Sequence, residues 1–397
     1  MKGREEPRSF LAAVGDSNSP ITWSGIPYNL LRAARPRGII DEGLPLSADG
    51  LAWKRRRLAW NLRRVLSGDH HGGYQYSTDF LERLWSPMLT KIQNSVVVNC
   101  FQLYPPSAVE DRTIEKWFFI DQTLLQLFDY YELRPTVGRR IATEAIAREG
   151  EGYHAAAGVI AHSRWAAESV IRDYGISPDN VHVVVPGANI DAVEYARWEI
   201  EAEERRRSTC EAEEKALKLV FVGKYWHRKG LDRLLQAIAL GRRSGLRASL
   251  RVIGCERDSL PRHLRGVEGV EWLGFINKRK EAARFFRAVS ECNVGCLLSR
   301  VEAGGIALRE YHALALVVLG PDTGGAPEHM IPGASVAISP EATADDIAET
   351  LLALERRSSS FEELLSVAWE QRRTALWEES MRQIQRIWSS SAVAVNV

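Results

Sequence analysis

The sequence predicts an α/β protein built from two doubly wound parallel-sheet domains, and three observations carry that expectation. Short, nearly continuous apolar runs alternate with segments of helical period along the whole chain, the pattern of strands covered on both faces by helices. The runs fall into two groups on either side of a highly charged stretch at 194–218. At 397 residues the chain is long enough for two domains of ordinary size.

Taken in order, strands are expected in the first half at "SFLAAVG" (9–15), "SVVVN" (95–99), "WFFI" (117–120), "GVIAHS" (158–163) and "VHVVVP" (181–186). The second half offers "LKLVFVG" (217–223), "ASLRVIG" (248–254), "VEWLG" (270–274), "NVGCLL" (293–298) and "LVVLG" (316–320). Between them "EYARWEIEAEERRRSTCEAEEKALK" (194–218) is dense in opposite charges and reads as a solvated hinge or a surface helix. That places the first domain at 1–193 and the second at 216–370. The stretch 361–388 has helical period, and its Phe361, Leu365, Trp369, Leu376, Trp377, Ile384 and Trp388 need partners. The serine-rich end after Trp388 is expected to fray.

Composition narrows the function classes. Hydrophobic residues at 45% and charged residues at 26% describe an ordinary globular protein. Fifty-two basic against fifty-one acidic residues give +1, so no overall field points to nucleic acid. Five cysteines (100, 210, 255, 292, 296), an odd number, fit a reducing compartment. Cys292 and Cys296 lack a second pair or a histidine cluster at ligand spacing and read as core residues. No apolar run is long enough to span a bilayer, and "MKGREEPRSF" carries acids where a signal peptide would be apolar. The expected location is cytoplasmic.

Open α/β sheets bind ligands at the carboxyl ends of their strands, so the loops that follow strands are where chemistry is sought. "GKYWHRKGLD" (223–232) sets Lys224 and Lys229 around an aromatic pair, just before a helix. Two ammonium groups there suit a diphosphate on which negative charge develops; a solvated basic loop is the plainer alternative. "VEWLG" is followed by "FIN" (275–277), and "LVVLG" by "PDTGGAPEH" (321–329). After "NVGCLL" comes "SRVEAGGIALRE" (299–310), in which Glu302 and Glu310 stand eight apart with Gly304 and Gly305 behind the first. Glycine is costly inside a helix, so this pair marks a loop that enters one, with bare N–H groups suited to phosphate or sugar oxygens. Taken alone the stretch also reads as a turn, a capped helix and a solvated glutamate. The order of four such strand ends is what separates the readings.

Residues 217–333 resemble the C-terminal domain of the retaining glycosyltransferases of family 4, which have the GT-B fold. The resemblance rests on "FVGKYWHRKG", "VEWLGFI", the E-x7-E step from Glu302 to Glu310, and "GGAPE" (324–328). It implies two Rossmann-like domains with an inter-domain cleft, and C-terminal helices (371–390) that cross back to the first domain. It implies that Glu302 binds donor-sugar hydroxyls, Glu310 the ribose, and Gly304, Gly305 and Ile306 sugar and phosphate through their backbone. Lys224 and Lys229 take the family's basic pair on the diphosphate, and Gly274, Phe275 and Ile276 the loop that reads the base. Two positions depart from the family: Gly304 stands where an aromatic is usual, and Lys224 where arginine is usual, which loses the bidentate fork.

In the first half "NSPITWSGIPYNLLRAAR" (18–35) resembles the family's first glycine loop, with Gly25 admitting the donor phosphate, and 158–191 resembles the end of the first domain. The stretch 36–115 carries no family motif. Where many members have a histidine, this chain offers Asp121, which accepts from a sugar hydroxyl, takes the acceptor's proton or caps the following helix. His154 and His162 read as surface or core histidines. "GDHHGGYQYS" (68–77) reads as an acceptor-side lid or a plain loop. In "LAWKRRRLAWNLRRVL" (51–66) there are six basic and no acidic residues. Leu51, Leu58, Leu62 and Val65 share one helical face, opposite Trp53 and Trp60 with Arg56, Arg57, Arg63 and Arg64. Trp with Arg suits a bilayer interface or a polyanionic acceptor; tryptophans packed beneath a loop are the alternative.

The expected protein is therefore a cytoplasmic, metal-independent, retaining glycosyltransferase without a bound cofactor, to which the membrane reading of 51–66 adds peripheral contact at the inner face of a membrane. Its partners are a nucleotide diphospho-sugar donor and a glycan, lipid-linked or small-molecule acceptor, and not nucleic acid. A sugar-nucleotide-binding scaffold without turnover and a glycan phosphorylase or hydrolase on the same fold are the rivals.

Overall fold

A computed structural model describes residues 7–68, 70–208, 216–278, 280–356 and 358–394. The chain divides into two compact units, one running to Val185 and resuming at Ser380, the other Pro186–Glu379. This division falls ahead of the charged stretch rather than inside it. The reason is the helix Ala192–Ser208, whose Tyr195, Trp198 and Ala202 are buried in the core of the second unit. Its charges are the outer face of a packed helix, not a solvated hinge. Residues 209–215, where the rest of that stretch and Cys210 fall, lie outside the described residues.

The first unit holds a parallel six-stranded sheet: β1 (Ser9–Ala12), β2 (Glu42–Gly43), β3 (Val96–Asn99), β4 (Glu115–Ile120), β5 (Gly158–Ala161) and β6 (Val181–Val183), in the order β2-β1-β3-β4-β5-β6. Val97, Phe118, Ile120 and Val159 are buried in one continuous core, as continuous apolar strands require. The two-residue β2 is the strand sequence periodicity does not show.

The second unit repeats the plan: β7 (Leu217–Val222), β8 (Ala248–Ile253), β9 (Val270–Gly274), β10 (Val294–Cys296), β11 (Val317–Pro321) and β12 (Ser335–Ile338), all parallel, in the order β12-β11-β10-β7-β8-β9. Five of its strands stand where apolar runs predict them. The half-exposed edge strand β12 lacks such a run. Both units are thus doubly wound α/β folds, and in the second the winding reverses between β7 and β10, where such sheets bind ligands. Cys296 is buried in the core and Cys292 is packed against it.

The C-terminal stretch forms helices Ser358–Gln371 and Trp377–Ala394 with a short turn between. Phe361 joins the second core. The Trp377 indole donates to Asn189 at 3.1 Å, and Trp388 meets Trp117 edge-on. The residues just after Trp388 are helical to Ala394, against the expected fraying. Among the described residues no helix is long and apolar enough to cross a membrane.

The basic helix Leu51–Leu66 turns its faces the other way from the membrane reading. Trp53 packs on Phe80 and Trp60 on Tyr74 within the first unit, while Leu51, Leu58, Leu62, Val65 and Leu66 are exposed. An indole removes more apolar surface from water than a leucine side chain does, so the aromatic face goes inward.

Candidate active site

At the point where the second sheet reverses, the loops after β7 and β10 are tied together. Leu298 N–H donates to the Lys229 carbonyl at 3.2 Å, and Arg300 N–H to the Arg228 carbonyl at 2.9 Å. Arg300 grips Asp232, in the first turn of the helix Leu231–Arg243, with two hydrogen bonds of 3.0 and 2.8 Å. Gly230 makes this closeness feasible: at φ +73°, a Cβ there would run into the Leu298 carbonyl.

The joined loops bring the partly buried Lys229 into an ion pair with the buried Glu302. Ser299 Oγ donates to the same Glu302 oxygen at 2.9 Å, and Arg228 lies 3.5 Å from it. Burial opposes the Glu302 charge, but Lys229 and Arg228 outweigh it and hold the carboxyl below its usual range. Burial lowers the pKa of Lys229, against the pull of Glu302. The result is a compact cationic cluster with one ionised carboxylate.

Gly304 and Gly305 lead into the helix Ile306–Ala313. Gly305 has φ +86°, which only glycine adopts cheaply. At Gly304 the limit is space: a Cβ would come within 2.8 Å of the buried His329 ring. The His329 ring stays neutral, its pKa pushed down to about 3 by burial and by Arg309. Within the same helix Tyr311 fixes the position of the rest. Its hydroxyl accepts from Val222 N–H at 2.8 Å, and its ring lies on Gly295, where a Cβ would collide with it.

One turn into that helix, Glu310 is buried and takes a 2.5 Å hydrogen bond from Lys278 on Oε1. Its Oε2 has no hydrogen-bond partner among the described residues. Burial raises the Glu310 pKa, and Lys278 opposes the rise. A buried acceptor atom left open suits a hydroxyl donor from a ligand.

Lys224 makes its contact outside the Glu302 ion pairs. Its ammonium lies over the exposed Phe275 ring, 4.9 Å from the centroid, joining the loops after β7 and β9. Gly274 ends β9 at φ +62°, whereas the Ile276 side chain is buried in the core. Any contact Ile276 makes with a ligand comes from its backbone.

In the first unit, Gly25 sits at φ +83° after Trp23 and Ser24, both also in the left-handed region. Three such residues in a row, two with side chains, store strain of the kind found at functional loops. Asp121 follows β4 and lines a cavity of about 580 Å³ with Trp23, Trp53, Lys54, Arg57 and Gln102. The helix after it is capped by Thr123, which accepts from Gln126 N–H at 3.2 Å, so the capping role for Asp121 falls away. Tyr74 and Tyr76 are buried, pinning the expected lid loop; its Asp69 lies outside the described residues. His154 is exposed, and His162 is buried against Phe119.

Sequence reasoning missed Arg228, Ser299, Lys278 and His329. Arg228 adjoins Lys229 in a basic run, and Ser299 precedes Glu302 by three, so both carried a faint signal. Lys278 lies 32 residues before Glu310, and pattern does not reveal such a pairing.

Residues 202–366 match the family described as glycosyl transferases group 1. The two doubly wound sheets match the GT-B fold of solved structures. Among named proteins, D-inositol 3-phosphate glycosyltransferase from Corynebacterium glutamicum (strain R) is 27% identical over 244 residues, 58% of this chain and 56% of that protein. The chain thus spans about half the length of the curated relative it matches. Two solved structures share the fold: sucrose-phosphate synthase from Thermosynechococcus elongatus and Anabaena HepE in complex with UDP and glucose. The first has TM-score 0.67 and 14% identity, over 98% of this chain and 100% of the other. The second has TM-score 0.61 and 15% identity, over 96% and 99%.

Proposed function

We propose that the protein is a retaining, metal-independent glycosyltransferase of family 4 that moves a sugar from a nucleotide diphospho-sugar to a glycan, lipid-linked or small-molecule acceptor. The observation that carries this reading is the cluster of Lys229, Arg228 and Glu302 at the reversal of the second sheet, with the open Oε2 of Glu310 one helical turn on. Lys229 meets the departing diphosphate, where charge develops as the bond to the sugar breaks, and Lys224 adds a second cation at its edge. Glu302 orients the sugar through its hydroxyls. Gly304, Gly305 and Ile306 offer N–H groups at a helix N-terminus. Glu310 accepts from the ribose, and Gly274 and Phe275 border the base. Asp121, in the cavity of the first unit, takes the acceptor's proton.

The group 1 match to residues 202–366 supports the donor side of this reading, and the Anabaena neighbour's complexes with UDP, glucose and UDP-glucose make uridine diphospho-sugars the first donors to try. The test is a panel of nucleotide sugars, followed by release of the nucleoside diphosphate. Turnover of one donor supports the reading. Binding without release across the panel means a sugar-nucleotide scaffold, release by water alone means a hydrolase, and sugar 1-phosphate formed from a glycan and orthophosphate means a phosphorylase.

A further inference from the structure

The helix Leu51–Leu66 lies on the first unit by its tryptophans and turns its aliphatic row outward. Leu51, Leu58, Leu62, Val65 and Leu66 are 46–80% exposed, and at 100° per residue all five fall in one sector. A single exposed leucine is ordinary; five on one helix form a patch that calls for a partner.

Charge identifies the partner. The helix carries six basic and no acidic residues. Arg56 and Arg64 stack on Trp53 and Trp60, 5.7 and 4.5 Å from the ring centroids. Lys54, Arg55, Arg57 and Arg63 form no ion pair among the described residues. Cations flanking an aliphatic row fit a surface that is negative outside and apolar just beneath. A nucleic acid would match the cations and leave the leucines in water. A second copy of the helix would bring like charges together.

We propose that this helix docks the first unit on an anionic lipid surface, with the leucine row entering the headgroup boundary and Arg55 and Arg63 facing the phosphates. Trp53, Lys54 and Arg57 on its other side line the cavity that holds Asp121. Docking therefore holds that cavity about one helix diameter, roughly 10 Å, from the lipid, and a lipid-borne acceptor is the class it selects. This last clause rests on the transferase reading; the docking does not.

The test is co-sedimentation of the full chain with phosphatidylcholine vesicles, with and without phosphatidylserine. Binding is expected to the anionic vesicles, weakening as salt rises, because each engaged cation multiplies affinity by about fivefold. The variant L58E/L62E is expected to lose more than about tenfold in binding. It should keep its circular dichroism and unfolding temperature, since both side chains meet solvent. Three results would overturn the proposal. One is wild-type protein left in the supernatant; another is equal sedimentation of wild type and variant. The third is a dimer that L58E/L62E abolishes, with no vesicle binding. None of these readouts uses a sugar donor, so failure here is separate from failure of the transferase reading.

Discussion

His329 stands against Gly304 so closely that a methyl group on the glycine would come within 2.8 Å of both Cε1 and Nε2 of the ring. The residue after the "GGAPE" loop thus fills space beside the backbone that enters the Glu310 helix. Gly304→Ala is expected to destabilise the second unit by about 1–3 kcal/mol through overpacking. Adding His329→Ala should return much of that loss, giving a coupling between the sites of about 0.5–3 kcal/mol. Urea unfolding of the two single variants and the double variant measures it. Strict additivity would show that the two residues do not share the space.

The two glutamates should separate by what they bind. Glu310→Ala is expected to weaken a free nucleoside diphosphate, because it removes the carboxylate whose Oε2 is open. Glu302→Ala should instead cut turnover far more than nucleotide affinity. Titration calorimetry with UDP distinguishes them, and loss of UDP binding in Glu302→Ala alone would reverse the assignment.

Lys229 carries the leaving-group prediction. Lys229→Met should lower the rate by ~10²–10³, the scale of losing one preorganised donor. Lys224→Met should cost less, since its ammonium lies on the exposed Phe275 ring rather than against Glu302. Chelator should leave activity intact. A change of less than threefold at Lys229, with a donor in hand, would remove it from the mechanism.

Stability of the first unit should depend on pH through Glu149. Its carboxylate is buried and accepts from Leu124 N–H at 2.9 Å, Tyr153 at 2.7 Å and Tyr174. Burial pushes its pKa from 4.5 up to about 8, against those hydrogen bonds. A carboxyl whose pKa rises on folding binds its proton more tightly in the native state. Its contribution is therefore full below about 4.5 and is lost as pH climbs through about 8. Between these values the unfolding free energy should fall by more than about 1 kcal/mol, and Glu149→Gln should flatten the dependence. Equal slopes for both proteins would exclude Glu149 as the source.

Most of the fold was legible because parallel strands buried on both faces write themselves as continuous apolar runs, and ten of the twelve do so here. β2 escaped because a two-residue strand has no such run, and β12 because Ser335 and Ala337 dilute the apolar signal of its four residues. At 51–66 the periodicity separated the leucine face from the tryptophan face correctly. Which face turns inward depended on Phe80 and Tyr74, partners that lie beyond the helix itself. In the site, Glu302 and Glu310 stood out because glycines and spacing marked them. His329 and Lys278 did not, since their relevance comes from packing across distant loops.

The Tyr311 hydroxyl holds Val222 while its ring lies on Gly295, so the short helix is keyed to the sheet from beneath and cannot slide along its axis. Ile306 and Glu310 are then a fixed rise of about 6 Å apart. Such a helix acts as a gauge. It measures the length of what lies along it before any side chain tests identity: a ligand too short for that rise could not touch the backbone at Ile306 and the open Glu310 oxygen together.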